Sequence, residues 1–318
     1  MVSDCWSAAQ ALVDWVLDHW ISFALILAFG VYLRGFLRLR RRKNRSATSL
    51  RALAFGGGVA TLGVALASPI HELGERLLQV HMLQHVLLMM VAPPLLWLGW
   101  PLAPILLGLP RSLAHPIARI FAVSWVKWTA RTLCHPVSAW LAFAAVMWGW
   151  HIPASYELAL RSGAWHHVEH ASFLAAALLF WRNVVEPWPS ASAWPRWSMI
   201  PYLALADVQN TALCALLTFS DRVWYKTYAL LPRPFGLSPL EDQATAGTIM
   251  WILGSAVLLA AVGCIVRELL VPGQGQVWPR EPLPEVNAHL GGTPGPDPGW
   301  VRGILARPNS PGIPRVGS

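Results

Sequence analysis

Seven long apolar segments follow one another along the chain, and they limit its possible folds more than any other feature of the sequence. A helix needs about 20 apolar residues to cross the hydrocarbon core of a bilayer. The segments approach that length, and they lack the alternation of apolar and polar residues that marks the strands of a membrane barrel. The sequence therefore predicts an all-α fold, a polytopic bundle of about seven transmembrane helices. The predicted spans are Trp15–Leu37, Leu53–Ala67, Leu77–Leu98, Pro136–Trp150, Trp165–Trp181, Met199–Phe219 and Thr245–Val266.

The composition agrees with a membrane protein and argues against a nucleic-acid partner. Hydrophobic residues make up 55% of the chain and charged residues only 13%, whereas a soluble domain carries about 25% charged residues. The formal net charge of +8 could indicate nucleic acid, but the basic residues cluster in the loops between the apolar segments. The four cysteines form no CxxC pair, so the sequence predicts neither a zinc finger nor a redox pair.

The basic residues also predict the orientation of the chain. They are concentrated in the Arg34–Arg51 block, between Arg111 and Arg131, and after the last span, whereas the other loops hold few. Because cytoplasmic loops carry the excess of Lys and Arg, we expect the N-terminus outside and the C-terminus inside. Met1–Trp20 lacks a basic n-region, so we expect no cleavable signal peptide.

The chain is expected to contain one membrane domain followed by a tail, and one segment of the membrane domain is not expected to cross the bilayer. Residues 1–271 form the predicted seven-span membrane domain, within which Pro101–Cys134 is expected to form interfacial helices because its basic residues are widely spaced. Pro93 and Pro94 are expected to break or kink the third span. In residues 272–318, Pro and Gly dominate without a period, which predicts a disordered cytoplasmic tail.

Histidines provide the strongest functional signal. The predicted orientation brings eight of the eleven to one side of the membrane, and two pairs repeat the same four-residue spacing, His81/His85 and His166/His170. Residues four apart share one face of a helix, so each pair can meet a common ligand. The alternative is that these imidazoles only bond backbone carbonyls or headgroups. Two such pairs on neighbouring spans favour a metal or haem site, and neutral imidazole suits copper, zinc and iron alike.

Four further residues are candidates for the same site. His151 follows the fourth span, and it is either a ligand or a hydrogen-bonding loop residue. Asp242, at the start of the seventh span, is either a helix cap or a ligand or acceptor that orients a histidine. His71 and His167 are less certain candidates.

Methionines and polar residues inside the spans leave alternatives open. Thioethers favour Cu(I), although methionine in a membrane helix is usually a packing residue. Polar residues in the sixth span are interpreted as an interhelical clamp, with a proton or ion path as the alternative. The methionines are Met82, Met89, Met90 and Met250, and the polar residues of the sixth span are Asp207, Gln209 and Asn210.

The sequence contains no motif of a nucleophilic or nucleotide-binding enzyme, since GxSxG, Walker and GxGxxG patterns are absent from suitable positions. HExxH is also absent, because no second histidine follows His71-Glu72 at the spacing that the motif requires. An enzymatic activity is therefore not the leading expectation.

Four blocks of sequence, in order, resemble the multi-pass CtaG family of cytochrome c oxidase assembly factors. They are HMLQHVLLMMVAPPLLWLGWP at His81–Pro101, WHIPASYELAL at Trp150–Leu160, HHVEHASFLAAALLFW at His166–Trp181 and EDQATAGTIMWI at Glu241–Ile252. The resemblance implies a bacterial plasma-membrane protein that aids maturation of a haem–copper oxidase, at its copper centres. It places six residues on the motif positions of the family: His81, His85, His151, His166, His170 and Asp242.

The leading hypothesis is an assembly factor with an outward-facing histidine site that binds copper and passes it to an oxidase subunit. The lipid bilayer is the second expected partner. One alternative is a copper transporter or copper-resistance membrane protein. Another alternative is a membrane enzyme or haem protein with bis-histidine ligation. Zinc is an alternative to copper as the bound metal.

Overall fold

The computed structural model describes residues 2–44, 47–186, 194–231 and 236–271, apart from the side chains of residues 2–19, 69, 72, 118 and 122. Within these ranges the chain forms helices and connecting turns but no strand, which confirms the all-α prediction. The predicted disordered tail, 272–318, lies outside the described residues. The helices are α1 (Val2–Arg41), α2 (Ser49–Leu66), α3 (Pro69–Gly74), α4 (Leu78–Val86), α5 (Ala92–Leu98), α6 (Leu102–Gly108), α7 (Arg111–Ala122), α8 (Ser124–Leu133), α9 (Pro136–His151), α10 (Pro153–Arg161), α11 (Gly163–Val185), α12 (Met199–Thr218), α13 (Lys226–Leu230) and α14 (Pro239–Leu270).

In the described part of the chain, five stretches are long and apolar enough to cross a membrane. A sixth results if α8 and α9, which bend by 67° at their junction, count as one broken span. α11, which matches the predicted fifth span, is 23 residues long but is not among these candidates, because its histidines and Glu169 make it polar. The five stretches are Trp20–Arg41, Ser49–Leu66, Leu78–Leu98, Arg196–Thr218 and Pro239–Leu270.

The third span continues through its prolines instead of breaking. A π-helical turn, Leu87–Val91, joins α4 to α5. Pro93 and Pro94 have no N–H, so the Met89 carbonyl loses the donors that a regular helix would supply. The indole Nε1–H of Trp181 on α11 donates to that carbonyl over 2.8 Å. The bond fixes α11 against the π turn.

The largest core cluster lies among α4, α9, α11, α12 and α14. Phe180 stacks on Phe143 with ring centroids 4.4 Å apart and on Tyr202 with centroids 4.7 Å apart. α12 and α14 are also joined by a hydrogen bond of 2.6 Å from Ser255 Oγ to Asp207 Oδ1. Asp207 therefore acts as the predicted interhelical clamp.

Short helices α6, α7 and α8 occupy the region predicted to be interfacial. α7 and α8 are strongly amphipathic in sequence, and large apolar side chains such as Ile120, Trp125 and Trp128 are exposed along them. α6 packs against α1. The region agrees with the prediction that no separate span lies between α5 and α9, although α8 belongs to the bent pair with α9.

Candidate metal centre

Four buried side chains converge between α4 and α11: His81, His85, Glu169 and His170. One donor atom from each lies within 4.8 Å of all the others. The two Nε2 atoms of His81 and His85 are 2.8 Å apart, and the Glu169 carboxylate oxygens lie 3.8 Å and 3.7 Å from them. The four-residue spacing of His81 and His85 places both on one face of α4, and this face meets the consecutive residues Glu169 and His170 of α11. We call these four residues the histidine–glutamate cluster.

The cluster contains polar atoms without hydrogen-bond partners in the described structure. They include both oxygens of Glu169 and Nε2 of His170. A buried polar atom left unpaired costs about 1–3 kcal/mol, and a charged group costs more. A bound cation would satisfy these atoms together. The donor set of three imidazoles and one carboxylate suits zinc, copper or iron and can complete a tetrahedral shell.

Tyr228 on α13 sets the orientation of His81. Its hydroxyl donates to the Gly74 carbonyl over 2.5 Å and lies 3.2 Å from His81 Nδ1. A hydroxyl has one hydrogen, so His81 Nδ1–H donates to the tyrosine oxygen. The lone pair of His81 is then on Nε2, which faces the cluster. Ligating histidines are commonly oriented in this way by a hydrogen bond at the other ring nitrogen.

Asp242 acts on the start of α4 and is not one of the four converging residues. Its two carboxylate oxygens accept hydrogen bonds from the backbone N–H groups of Leu78, at 2.9 Å, and Gln79, at 3.0 Å. Free N–H groups at a helix N-terminus favour a negative partner. The residue predicted as a ligand or a cap is therefore a cap, but of α4 and not of its own helix, where Ser238 and Glu241 form a capping box.

The remaining histidine candidates surround the cluster at different distances. His166 is buried with Nε2 unpartnered, and its ring lies 5.1 Å from that of His81. His71 stacks on His166 with centroids 5.3 Å apart. His167 is half-buried and is not part of the converging set. His151 lies to one side, with its ring 6.2 Å from that of His85.

The family comparison decides the classification of the chain. Residues 30–270 match the family model described as cytochrome c oxidase caa3 assembly factor, Caa3_CtaG. The chain belongs to the Caa3_CtaG family. The match includes α2 to α14 and hence every residue of the cluster, as the resemblance of the four sequence blocks predicted.

Relatives of this Caa3_CtaG chain occur in mycobacteria. Uncharacterized proteins of Mycobacterium bovis and Mycobacterium tuberculosis are each 28% identical over 275 residues, which cover 82% of this chain and 40% of the relative. An uncharacterized protein of Mycobacterium leprae is 26% identical over 250 residues, covering 74% of this chain and 36% of the relative. The chain thus spans about two fifths of the length of these curated relatives. No solved structure matches the chain.

Two site residues of this Caa3_CtaG protein escaped the sequence prediction. The sequence predicts no role for Glu169, yet its side chain is fully buried. Its spacing from His166, three residues on the same helix, is the signal that could have placed it on the ligand face. Tyr228 lies far from the histidines in sequence, and no local pattern indicates its contact with His81.

Proposed function

We propose that this protein binds a metal ion, with copper favoured, at the histidine–glutamate cluster and helps a haem–copper oxidase acquire its metal centres. The observation that carries the proposal is the convergence of three histidines and Glu169 in a buried site. Membership of a family described as caa3-type oxidase assembly factors supports the oxidase as the partner.

The proposed location is the bacterial plasma membrane, with seven spans, the N-terminus outside and the cluster toward the outer face. Five or six candidate spans support the membrane setting, and α11 would be the additional span despite its polar face. The arrangement of helix ends supports a common side for the site. His81 lies near the start of α4, His166 near the start of α11, His151 at the end of α9, and Asp242 near the start of α14.

A bis-histidine haem is less well supported than a metal ion. Axial ligands of a haem lie on opposite faces of a planar macrocycle that must fit between them. The Nε2 atoms of His81 and His85 are only 2.8 Å apart, and Glu169 and His170 point to the same place. This geometry favours a single ion with several protein ligands.

The experiment that tests the proposal is metal analysis of the protein purified in detergent, combined with oxidase activity in cells that carry each variant. His85→Ala and His170→Ala should lose bound metal and fail to support oxidase maturation while the protein still accumulates. His115→Ala is the matched control, because His115 is exposed on α7 and bonds within its own helix, to the Arg111 carbonyl at 2.9 Å. Full metal content and normal oxidase activity in His85→Ala would refute the proposal. If that variant does not accumulate, His85→Gln, which keeps size and hydrogen bonding, gives the same test.

A further inference from the structure

A small cavity lies beside the histidine–glutamate cluster, farther along α4 and its π turn. It encloses about 10 Å³, close to the room that one water molecule needs. Four of the seven methionines of the chain line it, together with two histidines and Asn210. We call it the methionine cavity, and its chemistry-bearing lining residues are His85, Met89, Met90, Met147, His151, Asn210 and Met250.

Local structure directs the methionines to one point. His85 and Met89 are four residues apart, as are Met147 and His151, so each pair shares a helix face. The π turn adds Met90 to the same wall, since a π bulge rotates the residues that follow it relative to a regular helix. The surrounding core cluster contains six methionines, and four of them line this one small cavity, whereas Met82 and Met199 pack elsewhere in the cluster.

His151 presents an unpaired nitrogen in this buried setting. Its Nδ1–H donates to the Met147 carbonyl over 2.6 Å, which leaves the lone pair on Nε2. That Nε2 is buried and has no hydrogen-bond partner, and the same is true of Asn210 Nδ2. Only 2% of each residue is exposed. A neutral imidazole whose other nitrogen is held by a backbone carbonyl is the form in which histidine ligates a metal.

The charge of the cavity wall selects the kind of ion. Among the described lining residues there is no carboxylate, so a bound cation keeps its full charge in a region of low polarity. A monovalent ion is the least costly to bury. Thioether sulfur is a soft ligand that favours Cu(I). The histidine–glutamate cluster differs on both points, because it contains Glu169 and no sulfur.

His85 is part of both the histidine–glutamate cluster and the wall of the methionine cavity. Its Nε2 faces His81 and Glu169, whereas its Nδ1 has no partner and the side chain lines the methionine cavity. A neutral imidazole carries a proton on one nitrogen and a lone pair on the other. His85 can therefore ligate an ion in the cluster through Nε2 or an ion in the cavity through Nδ1, but not both while it stays a neutral ring.

We infer that the methionine cavity is a second metal site, selective for Cu(I), with His151 Nε2 and the thioethers of Met89, Met90, Met147 and Met250 as its candidate ligands. His85 is the residue that links it to the histidine–glutamate cluster. The ion moves between the sites by ligand exchange, with no change of oxidation state, and the proton on His85 shifts to the nitrogen that the ion leaves. This inference goes beyond the proposed function and rests on it for the supply of the ion through the cluster.

The test uses the full-length protein in detergent, loaded with Cu(I) under reducing conditions. X-ray absorption at the copper edge detects sulfur ligands, and competition with a Cu(I) chelator measures affinity. Met147→Leu/Met250→Leu removes two of the four thioethers, so it should weaken the sulfur signal and bind Cu(I) at least about tenfold more weakly, which is ~1.4 kcal/mol. Leucine nearly conserves the volume of methionine, so Zn(II) binding at the cluster should not change. Met82→Leu/Met199→Leu is the matched control, because both residues are fully buried and neither lines the cavity.

Each outcome separates the inference from the proposed function. Wild-type protein that binds Cu(I) through nitrogen or oxygen alone, with unchanged affinity in Met147→Leu/Met250→Leu, refutes the methionine site and leaves the cluster intact. Sulfur-bound Cu(I) without any binding of Zn(II) or Cu(II) refutes the cluster and supports the methionine site. If the double variant does not fold, His151→Gln provides the second test: retained sulfur ligation and affinity in that variant would refute His151 as a ligand and the site as described.

Discussion

Glu169→Gln should move stability and metal binding in opposite directions. In the metal-free protein both oxygens of Glu169 are buried without a hydrogen-bond partner, and burial of an unpaired polar group costs about 1–3 kcal/mol. A carboxylate only accepts hydrogen bonds, whereas the neutral amide of the same shape can also donate to the unpaired Nε2 of His170, so we expect metal-free Glu169→Gln to be about 1–3 kcal/mol more stable than the metal-free wild type. The same change removes one of the four converging donors, so metal affinity should fall.

The assay is thermal or denaturant unfolding in detergent, with and without metal. A ligand at 100 times its Kd stabilises the folded protein by about 2.7 kcal/mol, so added metal should stabilise the wild type strongly and Glu169→Gln weakly or not at all. Glu157→Gln is the matched control, because the Glu157 carboxylate accepts hydrogen bonds from Thr227 N at 3.0 Å and Thr227 Oγ1 at 2.6 Å. Loss of the Glu157 carboxylate should destabilise the protein without affecting metal binding. A metal-free Glu169→Gln protein that is less stable than the wild type, and still gains full stability from metal, would refute the reasoning.

Three further predictions concern other parts of the molecule. Asp242→Asn removes the negative partner of two α4 N–H groups, so it should cost about 1–3 kcal/mol and speed hydrogen exchange in the first turn of α4; unchanged exchange there would refute the capping role. Burial raises the pKa of the Glu157 carboxyl, but hydrogen bonds from Thr227 and the charge of Arg161 outweigh burial and hold the pKa below its ordinary value of 4.5. The stabilisation is therefore present above the unfolded pKa and lost as the pH falls through the folded pKa, and unfolding measured across acidic pH should show this loss in the wild type but not in Glu157→Gln. A reporter fused after Val271 should be cytoplasmic and one inserted between Ser220 and Ser238 external; the same location for both would refute the seven-span orientation.

The sequence predicted three of the four cluster residues, whereas His166 and His151, which were also predicted, lie beside the cluster. A four-residue repeat fixes a helix face, and His81, His85 and His170 share the predicted site. Glu169 was not predicted as part of it, because an acidic residue near a helix start usually faces solvent or stabilises the helix dipole. Its role depends on burial against α4, which no local pattern expresses.

Asp242 illustrates a second limit of sequence reasoning. The sequence places it in the first turn of its own helix, where capping is the ordinary expectation. In the structure Ser238 and Glu241 already cap α14, so Asp242 is available to the neighbouring start of α4. His151 shows the same limit, because its lateral position follows from the bond of its ring to Met147 and from the packing of α9 against α11. Such roles depend on which helix ends are neighbours in space.

The bond between Tyr228 and Gly74 has a consequence for the rate at which an ion can leave. The Tyr228 side chain, on α13, lies against His81 and is itself buried with it. Because the cluster residues are buried, we expect a soluble chelator to reach an ion there only when α3 and α13 separate, and such opening is a local unfolding event with its own rate. Release should then proceed at a speed independent of chelator concentration once chelator is abundant. The residence time of the ion would be set by the opening of two short helices. A docking protein that separates these helices would shorten the residence time without replacing any of the residues that ligate the ion.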